Sequence, residues 1–340
     1  MRIGKVTESV LNRSVLKLIK SDSNKKSAAG RSDCAYSLDE NGDGILTAVS
    51  TFTAVSLDAA YYAVHNAANN IFCQGGKPLM TVLNIMLPAQ AEEAELKSIM
   101  KSAISSTNEL GIAIEGGHTE VTEVVTRPLV SAVVTGKIPS SEEREALQRS
   151  DRPTTAGDKN TKRAGLAIVM TKWAAVEGTA ILAKEQSEKL LERLPDYMIR
   201  QAQDFKSLVS IEEDARIALE NGALGLHDVS FGGIFAALWD IAARYKFGFE
   251  IDLKKIPIRQ ETVEITNHLG VNPYLLVSGG SLIILSDDGE ALVRAFENAG
   301  INAAIIGYTT DNNNKIIKND DETRYLDKPQ PDEILRITTK

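Results

Sequence analysis

The chain has 340 residues, 43% apolar and 25% charged, with a formal net charge of −8. That balance fits a soluble globular protein of about two domains. The acidity argues against a nucleic-acid surface, but a locally positive site for an anionic ligand stays open.

Two cysteines, Cys34 and Cys73, lie in no CxxC pair. They make neither a disulfide framework nor a structural zinc pattern, and buried thiols in a reducing compartment are expected. The N-terminus, M-R-I-G-K-V-T-E-S-V-L, has no signal-peptide apolar core. No apolar run approaches the roughly 18 residues of a membrane span. The expectation is a cytoplasmic protein without a membrane partner.

In chain order, Ser21–Gly30 reads as a mobile, serine-rich loop. Asp33–Leu38 and Gly44–Phe52 read as strands joined by D-E-N-G-D-G. This turn mimics an EF-hand loop, but the twelfth position from Asp39 is Ser50, not Glu. A hairpin turn on Asp43-Gly44 is expected instead. Ala54–Gln74 has helical spacing, ended by Gly75-Gly76 and Pro78. Leu79–Leu87 is a buried-type strand. Glu92–Leu110 is an amphipathic helix with Leu96, Ile99, Met100, Ala103 and Ile104 on one face. Ile112–Gly116 and Pro128–Ile138 are strands.

The polar stretch Pro139–Arg163 reads as the boundary between two halves, 1–150 and 151–340. The second half has expected strands at Leu166–Thr171, Phe249–Leu253, Ser281–Ser286 and Ala303–Thr309. Expected helices are Thr179–Leu194, Ile211–Asn221, Ile234–Tyr245 and Glu290–Ala299, with a turn at Asp311–Asn314. Strand pairs mixed with helix runs predict an α+β fold of two lobes rather than a doubly wound parallel sheet.

Three constellations could carry chemistry. In E-G-G-H-T-E-V-T, residues 115–122, Gly116 and Gly117 precede His118, Thr119 and Glu120. A strand opening into glycines and polar groups is either a tight turn or a phosphate-type loop. In H-D-V-S-F-G-G, residues 227–233, His227 and Asp228 precede Gly232 and Gly233 at a helix start. Asp228 is there either a metal ligand or a cap. Asn66, Asn69 and Asn70 share a helix end and mark either a fraying surface or a ligand contact. There is no Walker A motif and no G-x-G-x-x-G.

These motifs resemble those of the AIR synthase (PurM-like) superfamily. The carriers are S-D-C-A-Y at 32–36, Y-Y-A-V-H-N-A-A-N-N at 61–70, Q-G-G-K-P at 74–78 and E-G-G-H-T-E-V-T. T-K-W-A-A-V-E-G-T-A-I-L-A at 171–183, H-D-V-S-F-G-G and S-G-G-S-L-I-I-L at 278–285 complete the set. Together they span nearly the whole chain and look most like the AIR synthase-related branch that includes the hydrogenase maturation factor HypE.

The resemblance implies an N-terminal α/β lobe that forms a barrel across a homodimer, and a C-terminal α+β lobe. It implies ATP with Mg²⁺ and activation of an unknown small substrate by the γ-phosphate. Carried over by position, the nucleotide and metal set is Asp33, Asn69, Asn70, Gly116, Gly117, His118, Thr119, Glu120, His227, Asp228, Gly232 and Gly233. Asp33, Glu120 and Asp228 are the implied metal carboxylates. Two aspartates of the family pattern fall on Ser50 and Asn70. Each exchange removes a unit charge that a hard cation prefers, so weakened or rearranged Mg-ATP binding is expected. The alternative is a degenerate, non-catalytic nucleotide-binding or structural partner. HypE nitrile chemistry needs a C-terminal cysteine, whereas no cysteine follows Cys73 here.

Overall fold

The computed structural model describes residues 4, 6, 8–18, 33–40, 43–138 and 164–338. The expected loop 21–30 and boundary 139–163 lie outside the described residues. The chain divides into two compact units: Asp33–Arg144 with Leu335–Lys340, and Met1–Ser32 with Glu145–Ile334.

The Asp33–Arg144 unit holds strands β1 (Cys34–Leu38), β2 (Gly44–Phe52), β3 (Lys77–Leu87), β4 (Ala113–Val121) and β5 (Leu129–Ile138). They form one sheet in the order β1-β2-β5-β3-β4. Only the β3–β4 pair is parallel. The D-E-N-G-D-G turn closes a hairpin: Asp43 N–H donates to Asp39 Oδ1 at 2.8 Å, and Asp39 N–H to Asp43 O at 2.9 Å. Pro78 is accommodated inside β3 beside a register shift, the kind of irregularity where a missing N–H is tolerated.

Helix α1 (Ala59–Phe72) starts five residues later than its spacing predicts. Every residue of it except Asn70 is buried, as expected of a helix that is apolar nearly all round. It packs on the sheet face that carries Leu46, Ala48, Phe52, Val130, Ala132 and Val134, all buried. Helix α2 (Glu93–Leu110) buries Ile99, Ser102, Ala103, Ser106 and Thr107. The expected apolar stripe is therefore rotated, and Ile104 is 47% exposed. Gly111 ends α2 at φ 63°, with Ile112 N–H donating to Thr107 O, a left-handed stop suited to glycine.

The second unit carries a seven-stranded mixed sheet in the order β12-β11-β8-β10-β6-β9-β7. Its strands are β6 (Ala167–Thr171), β7 (Gly225–Asp228), β8 (Gly248–Asp252), β9 (Leu282–Ser286), β10 (Ala303–Thr310), β11 (Lys315–Asn319) and β12 (Glu322–Tyr325). The helices are α3 (Val176–Glu185), α4 (Ser187–Leu191), α5 (Asp196–Gln203), α6 (Glu212–Glu220), α7 (Gly233–Tyr245), α8 (Gln260–Leu269) and α9 (Gly289–Asn298). The last helix of the chain is α10 (Glu333–Thr338).

Every residue of β6, β7 and β9 is buried. Ile168, Met170, Ile283 and Leu285 join Ile234, Leu238 and Ile241 of α7 in one apolar core. The single helix expected over Thr179–Leu194 is two, because Gln186 leaves helical geometry at φ −116°. Mixed strand pairing with helices in both units is the α+β arrangement the chain order predicts. No described helix is long and apolar enough to cross a membrane.

Candidate functional site

Strand β7 delivers His227 and Asp228 into the turn before α7. Pairing of His227 with Ile283 and Asp228 with Leu282 fixes the strand on β9, and Val229 N–H donates to Ser281 O at 3.0 Å. Both side chains are buried, at 4% exposure. His227 Nδ1 lies 2.6 Å from the Asp228 carbonyl and 3.7 Å from its Oδ1. A carbonyl only accepts, so Nδ1 carries the proton.

Asp228 is not the helix cap. The N-cap of α7 is Gly232, at φ 88°, and the carboxylate that takes its N–H belongs to Asp332. Gly233, at φ 64°, donates to Ser230 O at 3.0 Å. A Cβ on Gly233 would lie 2.6 Å from Tyr274 O. Glycine is needed there for backbone packing, and the N–H groups of Gly232 and Gly233 both have internal acceptors.

The S-G-G-S stretch is an internal hub of the same unit. Ser278 Oγ accepts from Ala175 N–H at 2.8 Å, and Ser281 Oγ donates to Trp173 O at 2.7 Å. Gly279 N–H donates to Oε2 of the fully buried Glu177 at 2.9 Å. Val277 N–H donates to Asp332 Oδ1 at 3.2 Å. Through these bonds one segment anchors the β6–α3 connection, the β7–α7 turn and the C-terminal segment. Glu177, Ser278, Ser281 and Asp332 are absent from the expected site set. An isolated acid or serine has no spacing signal when its partners lie far away in sequence.

In the Asp33–Arg144 unit the E-G-G-H-T-E stretch is strand rather than the expected turn or loop. It does not leave the strand for a loop, since β4 runs on to Val121 as the edge of the sheet. Val82, Leu83, Asn84 and Met86 of β3 face Gly116, Gly117, His118 and Glu120. The two glycines differ. A Cβ on Gly117 (φ 156°) would meet Leu83 O at 2.1 Å, whereas one on Gly116 meets nothing within 4 Å. Gly117 lets β4 pair with β3, and Gly116 is the backbone position open to close approach. His118 and Glu120 project from the same side of the strand, with Nε2 and Oε2 3.0 Å apart and both side chains largely exposed. Thr119 between them is exposed as well.

At the end of α1, Asn66 and Asn69 are buried, which excludes a fraying surface for them. Asn70 is half-buried, and its Nδ2 donates to Asn66 O at 3.1 Å. Ser50 is half-buried, in register with Ala132 on the sheet face that α1 covers. Asp33 is exposed, just before β1. A further polar cluster links α1 to α2. Tyr61 donates to Glu109 Oε2 at 2.6 Å, and His65 Nε2 lies 3.4 Å from the same oxygen. His65 beside it, with the hydroxyls of Tyr61 and Ser105, holds the Glu109 carboxyl down to about 2 against the opposing effect of burial. Burial first, then the Glu109 hydrogen bond, pushes the Tyr61 hydroxyl well above its ordinary value.

Comparison with known proteins fits this architecture. The chain matches "AIR synthase related protein, N-terminal domain" over residues 28–138 and "AIR synthase related protein, C-terminal domain" over residues 163–319. It is 27% identical to a protein of Methanocaldococcus jannaschii named as a hydrogenase expression/formation protein, over 82% of this chain and 79% of that one. It is 26% identical to the carbamoyl dehydratase HypE of Rhizobium leguminosarum bv. viciae, over 75% and 69%. A crystal structure of the hydrogenase maturation protein HypE in complex with ATP shares the fold at a TM-score of 0.66 and 17% identity, covering 98% of this chain and 97% of that one. With both domain descriptions matched in order, the chain belongs to the AIR synthase related protein family.

Proposed function

We propose that this protein is a HypE-like, nucleotide-binding member of its family that holds ATP with Mg²⁺ and uses the γ-phosphate to activate a small substrate. The observation that carries the reading is the likeness, over nearly the whole chain, to a HypE solved with ATP. Buried Asp228, in the turn before α7 whose N-cap is Gly232, supports it from within the molecule.

In this reading the half 1–150 binds ATP and dimerises, and the half 151–340 completes the protein. Asp33, Asp228 and Glu120 are the metal carboxylates, and their hard oxygens fit Mg²⁺. When bound, that ion would neutralise phosphate charge. Gly116 gives the phosphates open backbone, and His118, Thr119, Asn69 and Asn70 line the nucleotide. His227, with its proton on Nδ1, keeps Asp228 in place. Gly232 and Gly233 shape the turn that carries Asp228, because their N–H groups already have acceptors.

The homodimer belongs to the same proposal. β4 is an edge strand, exposed at nearly every residue; its Val121 is 61% exposed and Met80 of the neighbouring β3 is 38% exposed. An open edge with apolar neighbours is suited to pairing with another copy. Sedimentation at micromolar concentration is expected to give a dimer, and a monomer would remove this part.

Ser50 and Asn70 favour a second reading, a nucleotide-binding partner protein that transfers no phosphoryl group. Positional isotope exchange within ¹⁸O-labelled ATP separates the two. Scrambling supports phosphoryl activation, and binding without scrambling supports the second reading. In titration calorimetry, Asp33→Ala and Asp228→Ala are each expected to weaken Mg-ATP binding at least tenfold. Unchanged affinity in both would overturn the assigned metal ligands.

A further inference from the structure

The C-terminal segment supplies a carboxylate to the turn that carries Asp228. Asp332 is 3% exposed. Its Oδ2 accepts the Gly232 N–H at 2.5 Å, and its Oδ1 accepts Val277 N–H at 3.2 Å and Ile334 N–H at 2.8 Å. The three amides come from the start of α7, from the segment leading into S-G-G-S, and from the residue that opens the chain's last turns. Gly232 has no side chain with which to cap α7, and the positive end of a helix dipole favours an anion at that point. Asp332 fills both needs from about a hundred residues away in sequence.

We propose that Asp332 is a positioning residue for the Asp228–Gly233 turn: its carboxylate fixes the start of α7, so that binding through Asp228 depends on the C-terminal segment being seated. The dependence of ligand binding rests on the nucleotide reading above, whereas the clasp itself stands on the three hydrogen bonds.

Burial pushes the Asp332 carboxyl up and the charge of Glu333 raises it further, whereas the Gly232, Ile334 and Val277 N–H groups pull it down. The three amides are what hold an anion in this buried place.

Hydrogen exchange of the full chain, read on peptides spanning 229–236 and 331–338, tests this. Asp332→Asn keeps one acceptor oxygen but presents an NH₂ group to one set of amides. It is expected to speed exchange in both peptides at least tenfold at pH 7.5 and to leave β6 unchanged. Its Mg-ATP affinity is expected to fall about tenfold. Unchanged exchange in the variant would overturn the clasp. Accelerated exchange with unchanged affinity would overturn its link to the ligand. If wild type binds no Mg-ATP, the proposed function falls and the exchange arm still decides the clasp. Should Asp332→Asn not fold, Asp332→Glu, which keeps the carboxylate but displaces it by one methylene, is read in the same way, and unchanged exchange in both peptides overturns the clasp.

Discussion

Alanine at Gly117 and alanine at Gly116 should behave in opposite ways, although the residues are neighbours in one motif. At Gly117 the added methyl lies 2.1 Å from Leu83 O and 3.0 Å from Leu83 C and N. These are backbone atoms of the strand to which β4 is paired, so no side chain can move aside. Overpacking costs about 1–3 kcal/mol, and holding alanine in a glycine-type conformation costs about 1–3 kcal/mol more. An edge strand yields more easily than a central one, so the expected loss is in the lower half of the sum, about 2–4 kcal/mol. At Gly116 nothing lies within 4 Å and φ is not positive. Alanine there restricts the unfolded chain and should stabilise by about 0.4–1 kcal/mol. Urea unfolding of the full chain, with both variants beside wild type, measures the contrast. A Gly117→Ala variant within 1 kcal/mol of wild type, or a Gly116→Ala variant equally damaged, would refute the assignment of separate roles.

Asp214→Ala removes the carboxylate that accepts from Thr171 at 2.6 Å and from Lys172 Nζ at 2.8 Å. The partly buried ammonium keeps the Ser210 and Leu208 carbonyls, so the loss should sit near the low end for a broken buried pair, about 3 kcal/mol. Adding Lys172→Met should restore part of it, and a double variant less stable than Asp214→Ala would contradict the pairing. Ser50→Asp combined with Asn70→Asp should strengthen Mg-ATP binding while lowering stability by about 1 kcal/mol, because Asn70 gives up its bond to the Asn66 carbonyl. Unchanged affinity in calorimetry would show that these positions do not face the metal.

Strands β2 and β5 and helices α7 and α9 were legible because their apolar periodicity matches the face they bury, and α2 was legible as a helix although the stripe it buries is rotated from the expected one. β4 was not. An edge strand exposed on both sides has no alternation, and two glycines before polar side chains read equally well as a loop. α5 and α8 are short and polar, and β7 is four residues long, so packing rather than local pattern defines them. Asp228 was legible as a candidate, yet its alternative role as a cap was settled only by the position of Asp332. That residue lies in a proline-flanked segment with no periodicity, and its partners are contributed by tertiary structure alone. Asn69 could be read as a helix-end polar group, but not as a buried one.

Nucleotide binding is the centre of the account, and titration calorimetry of the wild-type chain with ATP, with and without Mg²⁺, tests it most directly. Saturable binding below millimolar concentration that weakens when Mg²⁺ is withdrawn is the predicted result. No heat of binding at millimolar Mg-ATP would contradict it.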